Sequence, residues 1–148
     1  MKISIGCDHS ALELKNFLID YLKSEGHEVN DRGTYTKESC DYPDYGYLVA
    51  KDVQKGICDR GIVICYTGIG ISIMANKVKG VRCALCGSKD AAELTRLHND
   101  SNCLALSAKY TGRDLAKEIV EVWLKTPFSF NDRHQRRIEK ITKYEEEF

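Results

Sequence analysis

A short apolar run near the middle of the chain restricts the folds that this sequence can adopt. Ile62-Val63-Ile64 lies between Gly61 and Cys65, and turn-forming residues follow the cysteine. A β-branched run of this length, bounded by turn residues, predicts a strand that is buried on both faces, as in a parallel sheet. Consecutive parallel strands are joined by helical crossovers, so the run favours an α/β fold.

Strand and helix patterns alternate along the rest of the chain. Short apolar segments predict five strands, at 3–5, 28–31, 62–64, 81–86 and 103–106. Helical spacing and helix-boundary residues predict a short helix after the glycine turn and longer helices within 14–22, 45–53, 88–97, 112–127 and about 132–144. The sequence therefore predicts one domain over residues 1–148, a three-layer doubly wound α/β/α sandwich with a five-stranded parallel sheet.

Composition narrows the class of partner. The chain has 148 residues, 43% hydrophobic and 30% charged, which suits one domain with its own core. Lys+Arg and Asp+Glu both number 22, so the charge gives no reason to expect a nucleic-acid or membrane partner. Asp8 and His9 stand where a signal peptide needs an apolar core, and we expect a cytoplasmic protein. Its seven cysteines are expected to be reduced.

The predicted central strand carries a thiol to the edge of the sheet where α/β proteins bind ligands. Cys65 ends this strand, and Thr67, Gly68, Gly70 and Ser72 follow before a helix begins. Backbone N–H groups of a glycine-rich turn at a helix N-terminus attract anions, and the same field favours a thiolate over a thiol, whose ordinary pKa is about 8.5. One loop can therefore hold both a base and an oxyanion cradle.

Three further polar clusters are candidates for the same site. Asp8-His9 follows the first strand, His98-Asn99-Asp100 precedes the fifth, and the run 133–137 lies on the last helix. Because the carboxyl ends of parallel strands share one edge, Asp8-His9 is expected beside the Cys65 turn. The other two clusters reach that edge only if the fold or a second subunit brings them there.

Other patterns are interpreted as structural. Cys83 and Cys86 form a C-x-x-C pattern, but residues three apart on a strand face opposite sides of the sheet, and no further Cys/His pair has zinc-site spacing. A cysteine phosphatase needs an arginine six positions after the thiol, and Ile71 stands there. A phosphate-binding module on a flavodoxin-like fold stays open as a non-enzymatic alternative, although no Walker pattern is present.

Five motifs in order suggest a family. They are GCDH at 6–9, DYPD at 41–44, ICxTGIGIS at 64–72 with ANK at 75–77, RxHND at 96–100, and RHQRR at 133–137. This set resembles ribose-5-phosphate isomerase B, a family that includes the subunits of galactose-6-phosphate isomerase. The resemblance implies a Rossmann-like sandwich and a homodimer with active sites at the subunit interface. It further implies that dimers pair into tetramers in some members, and that neither metal nor cofactor is used.

The resemblance also implies an aldose-ketose isomerisation of a small-molecule sugar phosphate, D-ribose 5-phosphate to D-ribulose 5-phosphate, through a cis-enediolate. Cys65 matches the base, and Thr67 with the backbone amides of Gly68, Ile69 and Gly70 matches the oxyanion stabilisers. The remaining matches are His98 as the ring-opening acid/base with Asn99 beside it, Asp8 as a ligand of sugar hydroxyls, and His9, Arg133 and Arg137 as phosphate ligands.

Two site positions depart from the family pattern. Tyr66 stands where a glycine is common after the catalytic cysteine, so its side chain must turn away or narrow the sugar pocket. Lys109 stands where the family commonly has an arginine that reaches the phosphate from the partner subunit, and lysine keeps the charge but not the bidentate geometry. The alternatives are therefore the same chemistry on galactose or allose 6-phosphate, and a non-catalytic phosphosugar-binding subunit.

Overall fold

Five parallel strands form the centre of the molecule. The structure, a computed structural model, describes all 148 residues. The strands are β1 (Lys2–Cys7), β2 (Glu28–Asp31), β3 (Arg60–Cys65), β4 (Cys83–Leu85) and β5 (Cys103–Ser107). Their order in the sheet is β2-β1-β3-β5-β4, and every neighbouring pair is parallel. The predicted five-stranded parallel sheet is confirmed.

Six α-helices cover the sheet. They are α1 (Leu12–Ser24), α2 (Tyr42–Gln54), α3 (Ile69–Asn76), α4 (Lys89–Asn99), α5 (Arg113–Lys125) and α6 (Asp132–Glu145), and a single 3-10 turn (His9–Ala11) precedes α1. None of them combines the length and apolar composition that crossing a bilayer requires.

The helices form the two outer layers because alternate strand residues face opposite sides of the sheet. On one face, α1, α4 and α5 bury a large cluster that includes Leu18, Ile119 and Trp123. On the other face, α2 and α3 bury two smaller clusters around Val49 and Ala75. This arrangement is the predicted three-layer α/β/α sandwich.

The fourth strand is shorter than predicted. The predicted strand 81–86 contracts to Cys83–Leu85. The N–H of Val81 closes a turn onto the Val78 carbonyl at 3.1 Å, and the N–H of Arg82 donates to the Asn102 side chain at 2.8 Å. Side-chain and turn acceptors thus replace ladder hydrogen bonds at the start of this edge strand.

The fourth helix ends two residues later than predicted. Ser88 caps its start, since the hydroxyl accepts from the N–H of Ala91 at 3.1 Å. The helix continues to Asn99 and stops where Asp100 adopts the left-handed conformation, with φ +44°. His98 and Asn99 therefore belong to the last turn of α4, rather than to the loop before β5.

Strand register fixes which residues share an edge of the sheet. Cys65 pairs with Ser107 at the carboxyl ends of β3 and β5, and Gly61 pairs with Cys103 at their amino ends. Because α4 runs back to the start of β5, its last turn lies at the amino edge. The loop before α6 joins it there, where the N–H of Ser129 donates to the Leu97 carbonyl at 3.3 Å.

Candidate active site

The carboxyl edge brings together the first two predicted clusters. β1 and β3 are adjacent, with Cys7 paired to Ile64, and the N–H of Asp8 donates to the Ile64 carbonyl at 3.3 Å. Asp8 and Cys65 therefore leave the sheet side by side. This is the neighbourhood predicted from the shared carboxyl edge of parallel strands.

The turn after Cys65 has a shape that only glycine allows. Gly68 has φ +76°, and a Cβ atom built there would lie 2.5 Å from Leu85 Cδ1 and 2.9 Å from the Leu106 backbone. At Gly70 a Cβ atom would lie 2.5 Å from the ring of Tyr42. Because neither glycine has a side chain, the backbone can turn sharply here from β3 into α3.

The turn delivers backbone donors to the sheet edge. Thr67 Oγ1 accepts from the N–H of Ile69 at 3.2 Å, which fixes the threonine at the start of α3. The amides of the first helical turn, including that of Gly70, have no intrahelical acceptor, and they form the positive end of the helix. Such an arrangement favours a negatively charged ligand oxygen.

Cys65 is largely enclosed. Only 4% of its surface is exposed, and it packs in a cluster with Val49, Val63, Ile71 and Ala105. Apolar neighbours disfavour a buried negative charge, whereas the adjacent helix N-terminus favours it. The sulfur thus sits where the apolar layer meets the polar turn.

Most other cysteines are inert structural residues. Burial raises the pKa of the Cys7 and Cys103 thiols to about 12 and that of Cys86 to about 11. Burial also raises the pKa of Cys83 well above its ordinary value. Cys83 packs towards α2 and α3, whereas Cys86 packs towards α1 and α5, so the two lie on opposite faces as expected.

Tyr66 and Lys109 form one unit at the same edge. The Tyr66 carbonyl accepts from the N–H of Lys109 at 2.9 Å and from Ser107 Oγ at 2.8 Å. Tyr66 is 52% exposed, and Lys109 Nζ lies 5.3 Å from its ring centroid and 5.4 Å from that of Tyr110. The tyrosine is therefore at the surface beside Cys65, with a lysine ammonium held against it.

Only one of the two carboxylate oxygens of Asp8 accepts hydrogen bonds from the protein. Its Oδ1 accepts from the Ser10 N–H at 3.1 Å and from the Ser10 hydroxyl at 2.6 Å, so it caps the 3-10 turn. Oδ2 has no hydrogen-bond donor from the protein and is available to a ligand. His9 follows it, and the backbone N–H of Cys40 donates to His9 Nδ1 at 3.1 Å.

The other two predicted clusters come together at a second place. His98, Asn99, Arg133 and Arg137 line one cavity of about 240 Å³, with α4 on one side and α6 on the other. The two arginines are four residues apart and so share a face of α6. This cavity offers two guanidinium groups and an imidazole to an anionic ligand.

His134 belongs to this cavity and was missed by the sequence analysis. Its ring centroid lies 4.3 Å from that of His98, and its Nδ1 lies 2.8 Å from Ser129 Oγ. Burial, then the neighbouring His98 and the two arginines, lowers its pKa. The i, i+4, i+7 spacing of His134, Ile138 and Ile141 places it on the inward face of α6, a signal that the sequence contained.

The two halves of the predicted site lie at opposite edges of the sheet. Cys65 is four residues along β3 from Gly61, or about 13 Å at 3.3 Å per residue, and the last turn of α4 lies beyond the Gly61 end. The fold therefore joins Asp8, His9, Tyr66 and Lys109 to the Cys65 turn, but it does not bring the His98 cavity to it.

Comparison with known proteins places these features in a family. A sequence model of the family described as Ribose/Galactose Isomerase matches residues 3–141. Ribose-5-phosphate isomerase B of Escherichia coli is 46% identical over 145 residues, which cover 98% of this chain and 97% of that protein. The galactose-6-phosphate isomerase subunit LacB of Clostridium acetobutylicum is 39% identical and matches over 95% of this chain and 82% of its own length.

Solved structures agree over the whole fold. Ribose-5-phosphate isomerase B of Clostridium thermocellum is 52% identical, with a TM-score of 0.97 over 99% of both chains. The enzyme of Mycoplasma genitalium, solved with bound ribulose-5-phosphate, is 43% identical, with a TM-score of 0.95 over 99% of this chain and 97% of that one. With a family match over residues 3–141 and this likeness in fold, the chain belongs to the ribose/galactose isomerase family.

Proposed function

We propose that this chain interconverts D-ribose 5-phosphate and D-ribulose 5-phosphate, a step of the pentose phosphate pathway, without a cofactor. The single observation that carries the proposal is the placement of Cys65 at the end of a central strand, directly before a glycine turn and a helix N-terminus. Relatives named for this reaction, and one solved with its ketose product, support it. We further propose that the protein acts in the cytoplasm, where its free thiols stay reduced.

The reaction moves one proton between neighbouring carbons, so it needs a base near C2 and donors near the carbonyl oxygen. Cys65 is the proposed base. Thr67 and the amides of Gly68 and Gly70 are the proposed donors to the enediolate oxygen, and the Ile69 amide, expected from the sequence in the same role, holds Thr67 through its hydrogen bond to Oγ1. Asp8, through its uncommitted Oδ2, is the proposed ligand of sugar hydroxyls.

Ring opening and phosphate binding are assigned to the other half of the site. His98 is the proposed acid/base that opens the furanose, with Asn99 as its hydrogen-bonding neighbour, and Arg133 and Arg137 are the proposed phosphate ligands. Because this half lies at the amino edge, it meets Cys65 only if it comes from another chain. We therefore propose a homodimer in which each active site combines the two halves.

The surface around the Cys65 turn suits such a partner. Ile69 and Ile73 lie four residues apart on α3 and are more than half exposed, and Leu85 on the neighbouring edge strand is 43% exposed. Apolar side chains gathered next to an incomplete site favour burial by a second copy of this chain. His9 and Lys109, at the same edge, would then lie close to the phosphate as further ligands.

The same chemistry on a hexose 6-phosphate is the alternative substrate class. A longer sugar needs room beyond C5, and the exposed Tyr66, with Lys109 against its ring, directly follows Cys65. We propose that these two side chains favour a pentose. A non-catalytic phosphosugar-binding role is the second alternative. Turnover by the purified chain distinguishes this role from that of an isomerase.

The direct test is an assay of the purified protein with ribose, galactose and allose phosphates, following ketose formation. We expect ribose 5-phosphate to be preferred. Cys65→Ala should lower kcat by roughly 10²- to 10⁴-fold with little change in the Kd of the sugar phosphate, because a general base acts on the carbon. Cys86→Ala, which removes a buried thiol on the opposite face of the sheet, is the matched control. A wild-type kcat in Cys65→Ala would show that the base is another group.

His98→Asn tests the ring-opening assignment separately. We expect a larger loss with the cyclic aldose than with an open-chain substrate analogue, because only the former needs ring opening. Equal losses with both would remove this role from His98.

A further inference from the structure

The imidazole of His9 is held by the backbone of a distant segment. The N–H of Cys40 donates to His9 Nδ1 at 3.1 Å, and Cys40 Sγ lies 3.9 Å from the same nitrogen. A backbone amide always carries its hydrogen, so Nδ1 must be the acceptor in this bond. A neutral imidazole with an unprotonated Nδ1 has its single proton on Nε2.

The segment that leads to Cys40 is hydrogen-bonded to the end of β1, just before the turn that carries His9. Just after β2, the N–H of Thr34 donates to the Cys7 carbonyl, and the N–H of Cys7 donates to the Gly33 carbonyl, both at 2.7 Å. Both bonds involve Cys7, the last residue of β1, which lies two residues before His9. They limit movement of the donor relative to the ring.

A partly buried ion pair and an exposed one join the same segment to α1. Lys15 is fully buried, and its Nζ lies 2.6 Å from Asp31 Oδ1, which also accepts from the N–H of Gly33 at 2.9 Å. Farther along, Lys37 Nζ lies 2.9 Å from Glu13 Oε1. The segment 31–40 is thus anchored at its start, in its middle and, through His9, at its end.

We propose that Cys40 is a positioning residue, whose backbone N–H holds His9 in the Nε2–H tautomer so that His9 presents a hydrogen-bond donor to the sugar phosphate. This inference rests on the proposed function for the identity of the ligand, but the tautomer does not depend on it. In this state His9 donates one hydrogen bond to a phosphate or hydroxyl oxygen, and it does not act as a base through Nδ1.

The tautomer can be measured directly in the wild-type protein. The chain has four histidines, so long-range ¹⁵N–¹H correlation spectra of histidine-labelled protein are simple, and the signal that disappears in His9→Gln identifies His9. We expect the pattern of a neutral Nε2–H ring with an acceptor nitrogen at Nδ1. An Nδ1–H pattern, or an even mixture of the two, would overturn the proposal.

Substitutions of Cys40 test the source of the effect. Cys40→Pro removes the backbone donor, and we expect its His9 signals to show a mixture of tautomers. Cys40→Ala keeps the donor and removes the thiol, so it should retain the Nε2–H pattern. A wild-type pattern in a folded Cys40→Pro protein would contradict the proposal. If the proline variant does not fold, the wild-type spectrum and the kinetic comparison below still decide.

Substitutions of His9 test the consequence for binding. The amide nitrogen of glutamine can replace Nε2 as a donor, whereas that of asparagine lies near the Nδ1 position. We expect KM for ribose 5-phosphate to be roughly fivefold higher in His9→Asn than in His9→Gln, the worth of one hydrogen bond. A lower KM in His9→Asn would overturn the donor role. Absence of turnover in the wild-type protein would instead refute the proposed function, while the tautomer pattern would still be decisive.

Discussion

Tyr66 follows Cys65 directly, and the structure resolves how a large side chain fits there. The backbone of Tyr66 is fixed by two hydrogen bonds to its carbonyl, and its ring stays at the surface under the ammonium of Lys109. The exposed ring lies next to the turn that carries Cys65, and narrowing of the sugar pocket stays a prediction, which the next experiment tests. Tyr66 is thus the residue that we expect to limit sugar size.

Tyr66→Gly should shift the preference towards longer sugars. We expect the ratio of kcat/KM for hexose 6-phosphates to that for ribose 5-phosphate to rise roughly tenfold, the scale at which one pocket contact discriminates substrates. Tyr110→Ala is the matched control, because it removes the other ring beside Lys109 without changing the residue after Cys65. An unchanged ratio in Tyr66→Gly would show that pocket size is set elsewhere.

His134 makes stability depend on pH. Its pKa in the folded protein is lowered, chiefly by burial and then by His98, Arg133 and Arg137, so the folded state binds its proton less readily than the unfolded chain does. Stability from this group is therefore present above the unfolded pKa of about 6.5 and is lost as pH falls through the folded value.

The corresponding experiment compares urea midpoints at pH 7 and pH 5. His134→Gln should lose less stability over this range than the wild type does. The pKa of His27 is also lowered, by burial and by the N-terminal ammonium, so His27 should add to the pH dependence of stability. The variant His27→Gln measures this second contribution. The same pH dependence in wild type and His134→Gln would contradict this assignment.

At the scale of elements, the passage from β3 to α3 is set by Gly68. Gly68 has a left-handed φ and lies close to β5 and to Leu85. Glycine fits this position without strain, so the chain can reverse directly after Cys65. A side chain there must be strained and must also displace its neighbours. The helix N-terminus would then move away from the thiol.

Gly68→Ala should cost about 3 kcal/mol of unfolding free energy, from the left-handed backbone and from overpacking together, and it should also lower activity. Gly80 has a similar φ of +83° but open space around it, so Gly80→Ala should cost only about 1 kcal/mol. Urea denaturation and turnover of both variants provide the comparison. Equal costs would mean that packing at Gly68 is unimportant.

At the scale of the molecule, one chain holds its two candidate clusters at opposite edges of the sheet. The sheet separates the Cys65 turn from the cavity of His98, Arg133 and Arg137. In the symmetric dimer that we propose, each copy would supply one half to each of two sites.

Mixing two inactive variants tests this arrangement. In a hybrid of Cys65→Ala with His98→Asn, one site carries both defects and the other carries none, so random pairing should restore about a quarter of wild-type activity. A mixture of Cys65→Ala with Thr67→Ala is the control, since both defects lie in the same half and no intact site can form. No recovery in the first mixture would contradict a shared site.

Several features of the molecule were accessible from the sequence. The β-branched run before Cys65 and the alternation of strand and helix patterns predicted the parallel sheet, because burial on both faces leaves a continuous apolar signature. The same pattern placed Asp8 beside Cys65. The length of β4 was not accessible, because Asn102 replaces ladder hydrogen bonds there through a side chain from a different loop.

By itself, the sequence determined the class of fold and predicted the chemical groups of the site, since local periodicity and residue type carry that information. Only the tertiary structure decided that the groups form two clusters at opposite edges, that His134 packs on His98, and that Cys40 binds His9. Those contacts join residues far apart in the chain or follow from strand order, and no local pattern encodes strand order.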